Sequence, residues 1–110
     1  SQSISNVISD DFIVFGPHTK TKDAINKLVK AQMSEGYCVD ADNKFIGKFI
    51  LHELLSAPGQ SNLSDHLTTD PVILNHDASV LQAIEVASNF VGETIPVIHY
   101  KNNSLIGRGV

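Results

Sequence analysis

Five histidines, twelve acidic side chains and one cysteine are the groups in this chain that could do chemistry. To bind a metal they must converge. His18, His52, His66, His76 and His99 lack spacings such as H-E-x-x-H, which sets two imidazoles on one helix face. Asp65-His66 with Asp70, and His76-Asp77, bring ligand types close, but the pattern is that of ordinary surface residues, and no metal site is expected. Nucleophilic catalysis needs a nucleophile, a base and an orienting group in one pocket. No Ser, Cys or His stands in such a setting, so no catalytic residue is assigned and the chain reads as a non-enzyme. Cys38 lies in an apolar stretch and reads as a buried small hydrophobe. A single thiol excludes a disulfide within the chain. Lys20, Lys22, Lys27 and Lys30 read as a solvated helix face rather than a binding patch.

The elements that must position any site come from a chain of 110 residues, 42% hydrophobic and 18% charged. That suits one compact domain rather than a disordered segment. No apolar run is long enough to span a bilayer, and no signal segment opens the chain. It begins at Ser1 rather than Met, so it reads as a piece of something longer. The net charge is −4 with cations scattered singly, which argues against nucleic acid or an anionic membrane as partner.

The chain repeats itself with a period of roughly 59 residues. Ile4-Ser5-Asn6 falls on Leu63-Ser64-Asp65, and Asp11 on Asp70. Phe12–Phe15 falls on Pro71–Leu74, Ala24-Ile25 on Ala83-Ile84, and Cys38-Val39 on Val97-Ile98. One extra residue in the second turn then brings Phe45-Ile46-Gly47 onto Leu105-Ile106-Gly107. Each copy reads as strand, helix, strand, strand. Phe12–Phe15 and Val72–Leu74 are short apolar runs of the buried-strand kind. Val80, Ala83, Ile84, Ala87 and Val91 form one helical stripe, and Ala24, Ile25, Leu28 and Val29 form its counterpart. Ser79 and Gln82 have capping-box spacing. Gly36 and Gly92 are the expected left-handed caps at the helix ends. Asp40–Asn43 and Asn102-Asn103 can make tight hairpin turns. Phe45–Ile50 runs into a short helix, "LHELL". Pro58-Gly59 opens a polar linker, and Ser64 is the expected cap at the start of the second copy. The expected units are 1–58 and 63–110, joined by 59–62. Neither half buries enough surface to be secure alone, so the two are expected to pack about a pseudo-two-fold axis as one α/β module.

This tandem order resembles a CBS-domain pair (a Bateman module). Pro96-Val97-Ile98 with Leu105-Ile106-Gly107 is the best match, and Val39-Asp40 with Phe45-Ile46-Gly47 the next. "FVGETIPVI", Phe90 to Ile98, is most similar to the CBS pair that follows the membrane domain of bacterial ClC-type chloride channels and transporters. The resemblance implies a non-catalytic, cytoplasmic regulatory domain of a membrane transport protein. Its partners would be the transmembrane domain of the same polypeptide and a second copy of itself. Two alternatives stay open: a dimerisation module without ligand, and an accessory CBS insert of an enzyme.

Many CBS pairs bind adenine nucleotides in two clefts, so ATP, ADP, AMP or adenosine is the implied ligand, with no required cofactor. The family's last strand continues as G-x-x-[TS]-x-x-D, whose Asp accepts hydrogen bonds from the ribose hydroxyls; a carboxylate, being acceptor-only, suits a vicinal diol. In the first copy Ile50 takes the hydroxyl position and Glu53 the carboxylate position. The opposite wall would include Thr68, Val72, Glu93 and Thr94. The second copy ends its pattern after Gly107 with Arg108, Gly109 and Val110, so its site is expected to be incomplete.

Overall fold

The computed structural model describes residues 3–109. In chain order its main elements are β1 (Val14–Phe15), α1 (Thr21–Ala31), β2 (Glu35–Val39), β3 (Phe45–Ile50), α2 (Leu51–Leu54), β4 (Leu74–Asn75), α3 (Val80–Ser88), β5 (Ile95–Ile98) and β6 (Leu105–Gly109). Asn43 and Asn103 have φ of 62° and 63°, the left-handed conformation that tight turns need and asparagine tolerates. They close the antiparallel pairs β2–β3 and β5–β6. β1 lies parallel to β2, and β4 parallel to β5, each reached through a crossover helix. The product is two three-stranded sheets, ordered β1-β2-β3 and β4-β5-β6. This is the α/β arrangement, built twice, that the repeat predicts.

The chain divides into two compact units: Ser1–Phe12 with Val72–Val110, and Ile13–Pro71. These bounds differ from the repeat bounds of 1–58 and 63–110, and hydrogen bonding explains why. Ser9 and Arg108 exchange backbone bonds of 2.9 and 2.8 Å, so the leading segment belongs with β6. In the other unit the Thr68 N–H donates to the Lys48 carbonyl at 2.7 Å, so the residues before β4 lie along β3. A repeat found by sliding the sequence preserves chain order and cannot show this exchange. The glycines of the matched Phe45-Ile46-Gly47 and Leu105-Ile106-Gly107 follow from it. A β-carbon at Gly47 would lie 2.9 Å from Leu67 Cδ1; one at Gly107 would overlap Ile8 and come 2.8 Å from the Ser9 carbonyl oxygen. Val110 lies outside the described residues.

The helix ends correct several expectations. α1 stops at Gln32, which itself takes the left-handed conformation (φ 57°). Gly36 is instead a β2 residue; it lacks a side chain because the Phe49 ring occupies that space. α3 ends at Asn89 with φ −107°, and Gly92, at φ +150°, lies beyond the helix. Ser64 caps nothing: Asn62 takes the N-cap position of the 3-10 turn Leu63–His66. The Ser79–Gln82 capping box is present, with bonds of 3.1 and 2.9 Å. α1 has no side-chain cap; the linker performs that role. The Thr21 and Lys22 N–H groups donate to the carbonyls of Ser61 and Gly59 at 2.9 and 3.0 Å, satisfying donors that a helix start leaves unpaired. Ser61 Oγ also lies 2.9 Å from Thr21 Oγ1 and 2.8 Å from His66 Nε2.

The two cores are unequal. In Ile13–Pro71, Ala24, Leu28, Phe49, Leu54 and Leu63 are all fully buried. In the other unit Ile4, Leu74, Ala78, Ile95 and Val97 form the cluster, and α3 contributes no buried residue. Of the expected stripe, Ile84 is 58% exposed, and Val91, which lies beyond the end of α3, is 96% exposed. Val29 on α1 is likewise exposed, so the apolar stripes are narrower than their spacing suggests. Lys20, Lys22, Lys27 and Lys30 are exposed.

Cys38 is fully buried in β2, and burial pushes its thiol from 9.0 up to about 11. A raised folded value means its stabilising contribution is complete below about pH 9 and lost as pH rises toward about 11. Urea midpoints measured across that window should fall more steeply for the natural chain than for Cys38→Ala. Parallel curves would refute this.

Candidate functional site

β3 runs directly into α2 at Ile50. Leu54 drives the turn: its side chain is fully buried, and the neighbouring Leu51 N–H donates to the Ser34 carbonyl at 2.8 Å. With Leu54 inward, Glu53 is left on the exposed side. Ile50 is the last residue of β3, half-buried and paired across the sheet with Glu35; it offers no hydroxyl. A hydroxyl does reach Glu53, from Thr68. Thr68 is held against β3 by its bond to Lys48, and its Oγ1 donates to Glu53 Oε1 at 3.0 Å. A carboxylate has roughly four acceptor positions, so one donor orients Glu53 and leaves the others available to a ligand.

The structure thus joins two of the residues singled out in the sequence, Glu53 and Thr68, and places Ile50 on the strand leading to them. Val72, Glu93 and Thr94 belong to the other unit. Val72 is 40% exposed; Glu93 is exposed and Thr94 half-buried, just ahead of β5.

Three features escaped the sequence reading. Lys48 Nζ meets Glu35 Oε1 at 2.7 Å, with both side chains only 5% exposed. A lone Lys and a lone Glu, thirteen residues apart, carry no spacing signal. Arg108, which the repeat aligns with Lys48, donates from Nε to the Asp11 carbonyl at 2.8 Å and lies 3.6 Å from the Asp11 carboxylate. The ring centroids of His76 and His99 stack at 4.2 Å, with Tyr100 alongside at 5.4 and 5.5 Å. The Lys101 N–H donates to His99 Nδ1 at 3.2 Å, whereas His76 Nδ1 is buried with no hydrogen-bond partner. Among the described residues no three His, Cys, Asp or Glu side chains converge as metal ligands. No helix there is long and apolar enough to cross a membrane.

No family model matches the sequence, and no curated protein does. Solved structures do match. The CBS-pair domain of a putative Mg2+ transporter from Shewanella oneidensis superimposes with a TM-score of 0.90 at 19% identity, over 98% of this chain and 64% of that one. CBSX2 in complex with AMP gives 0.85 at 17% identity, over 100% and 90%. The cytosolic domain of the Mg2+ channel MgtE in complex with ATP gives 0.87 at 13% identity, over 99% and 46%. With the repeat, the sheet order and these superpositions together, the chain has the fold of a CBS-domain pair.

Proposed function

We propose that this chain is a non-catalytic regulatory module of a membrane transport protein, lying on the cytoplasmic side of the membrane and binding an adenine nucleotide or adenosine through Glu53 and Thr68. The observation that carries the proposal is the 3.0 Å bond from Thr68 to Glu53, which presents an oriented, exposed carboxylate. The folds of structures solved with AMP and with ATP support the ligand class. Glu53 would accept from the ribose diol. Lys48, the cation of β3, is already paired with Glu35, so a long phosphate chain gains little there, and short phosphates or adenosine are favoured. Such a ligand regulates transport only if it binds two states of the protein with different affinity. The resemblance of Phe90–Ile98 names a ClC-type chloride channel or transporter as the parent. The Mg2+ transporter domains among the similar structures make a transport protein the common reading.

The test is calorimetric titration with ATP, AMP and adenosine. Glu53→Ala should weaken binding about 10- to 100-fold, the worth of hydrogen bonds to a charged acceptor. Binding equal in both proteins would displace the site, and no binding would remove the ligand reading. A second reading, a dimerisation module, is favoured by exposed Leu81 and Ile84 on α3. A dimer that persists at low micromolar concentration without ligand would support it, and a strict monomer in light scattering would exclude it.

A further inference from the structure

The two hairpin turns can be compared residue by residue, because the repeat places Asp40 on His99. Their backbones agree. The Asp40 N–H donates to the Lys44 carbonyl and the Asn43 N–H to the Asp40 carbonyl, both at 3.0 Å. In the second turn the His99 N–H donates to the Ser104 carbonyl and the Asn103 N–H to the His99 carbonyl, both at 2.9 Å. The side chains then do one job with different chemistry. Asp40 Oδ1 accepts from the N–H two residues on, that of Asp42, at 2.9 Å, and from the Lys44 N–H at 2.9 Å. In the second turn the acceptor for the N–H two residues on, that of Lys101, is His99 Nδ1 at 3.2 Å. A carboxylate remains an acceptor down to about pH 4. An imidazole nitrogen accepts only while it carries no proton.

We propose that the turn 99–104 is an acid-responsive latch: a proton on His99 Nδ1 converts the acceptor into a donor, sets it against the Lys101 N–H, and loosens the second hairpin while the first stays closed. Imidazole is the side chain that ordinarily changes charge between about pH 5 and 8. The bond is present where His99 is neutral and is lost as pH falls through its titration. Three titratable groups face His99. The His76 ring, directly after β4, stacks on it with centroids 4.2 Å apart. Tyr100 lies alongside at 5.5 Å, with Lys101 Nζ 5.6 Å from the Tyr100 centroid. Asp77, next to His76, is exposed to solvent, where water screens its charge. His76 Nδ1 is buried without a partner, so a proton added there would have no acceptor. The latch is independent of Glu53 and of any nucleotide.

The experiment is NMR of the ligand-free, isotope-labelled 110-residue chain. At pH 8 the His99 ring proton should sit on Nε2, with Nδ1 bare. Between pH 8 and 5 the protection factor of the Lys101 N–H should fall about 3- to 10-fold, the worth of one hydrogen bond, in step with the His99 ring signals. The Asp42 N–H should hold its protection over the same range. His99→Asp should remove the fall, and Asp40→His should install it at the Asp42 N–H. His76→Phe, which keeps a ring stacked on His99, should leave the fall in place. A proton on His99 Nδ1 at pH 8, or constant Lys101 protection while His99 titrates, would overturn the proposal. So would an equal fall at Asp42, which would mark general acid destabilisation, or a fall abolished by His76→Phe, which would place the response on His76.

Discussion

Lys48→Ala should lower the stability of the Ile13–Pro71 unit by about 3–5 kcal/mol, and Glu35→Ala by a similar amount. The two charges are 2.7 Å apart with 5% of each side chain exposed. Removing either partner leaves the other buried without its 2.7 Å ion pair, and burying a charge deprived of its counter-charge is costly. Replacing both, as Glu35→Leu with Lys48→Met, should recover most of the loss, since a paired charge and an apolar pair of similar volume are near equal in stability. Urea unfolding of the two single variants and the double variant forms the cycle. Additive losses would show that the pair is not coupled. The Lys48 carbonyl also holds the Thr68 N–H, so distortion of β3 in the single variants should weaken any ligand binding through Glu53.

Phe49→Ala should cost about 3–5 kcal/mol, whereas its repeat counterpart already is a glycine. Phe49 is fully buried, fills the space above Gly36, and meets Phe15 with ring centroids 5.8 Å apart. The packed half therefore depends on it, and the other half has Gly109 in its place. Hydrogen exchange should show this in the natural chain: α1 and β2 should be protected longer than α3, which has no buried residue. In Phe49→Ala that difference should shrink or reverse. Equal protection in the natural chain, or a Phe49→Ala loss below about 1 kcal/mol, would contradict the assigned asymmetry.

Much of this was legible because it is local. Asn43 and Asn103 announce their turns through the one backbone conformation that asparagine tolerates better than most residues. Ser79 and Gln82 announce a cap by spacing alone. The repeat supplied the α/β order, and the resemblance to CBS pairs singled out Glu53 and Thr68, which the structure brings within hydrogen-bond distance. The illegible features depend on distant partners. The first turn of α1 is capped by the backbone carbonyls of Gly59 and Ser61, distant in sequence, which side-chain identity cannot reveal. Gly36 looked like a helix cap because glycine serves turns and close packing equally, and only the position of Phe49 decides between them. Lys48 and Glu35 look like surface residues until β2 and β3 are paired. The stack of His76, His99 and Tyr100 needs β4 brought beside β5.

The exchange of leading segments bears on how such genes can recombine. A crossover placed in the linker, where the repeat boundary falls, would give a hybrid whose Leu67 and Thr68 face a Gly47 and Lys48 from a different lineage. The same hybrid would match Ile8 and Ser9 to a foreign Gly107 and Arg108. Crossovers near Phe12 and Pro71 would transfer each packed unit with its own partners intact. The block that would recombine with its contacts intact is Ile13–Pro71, an insert in the sequence of the other unit.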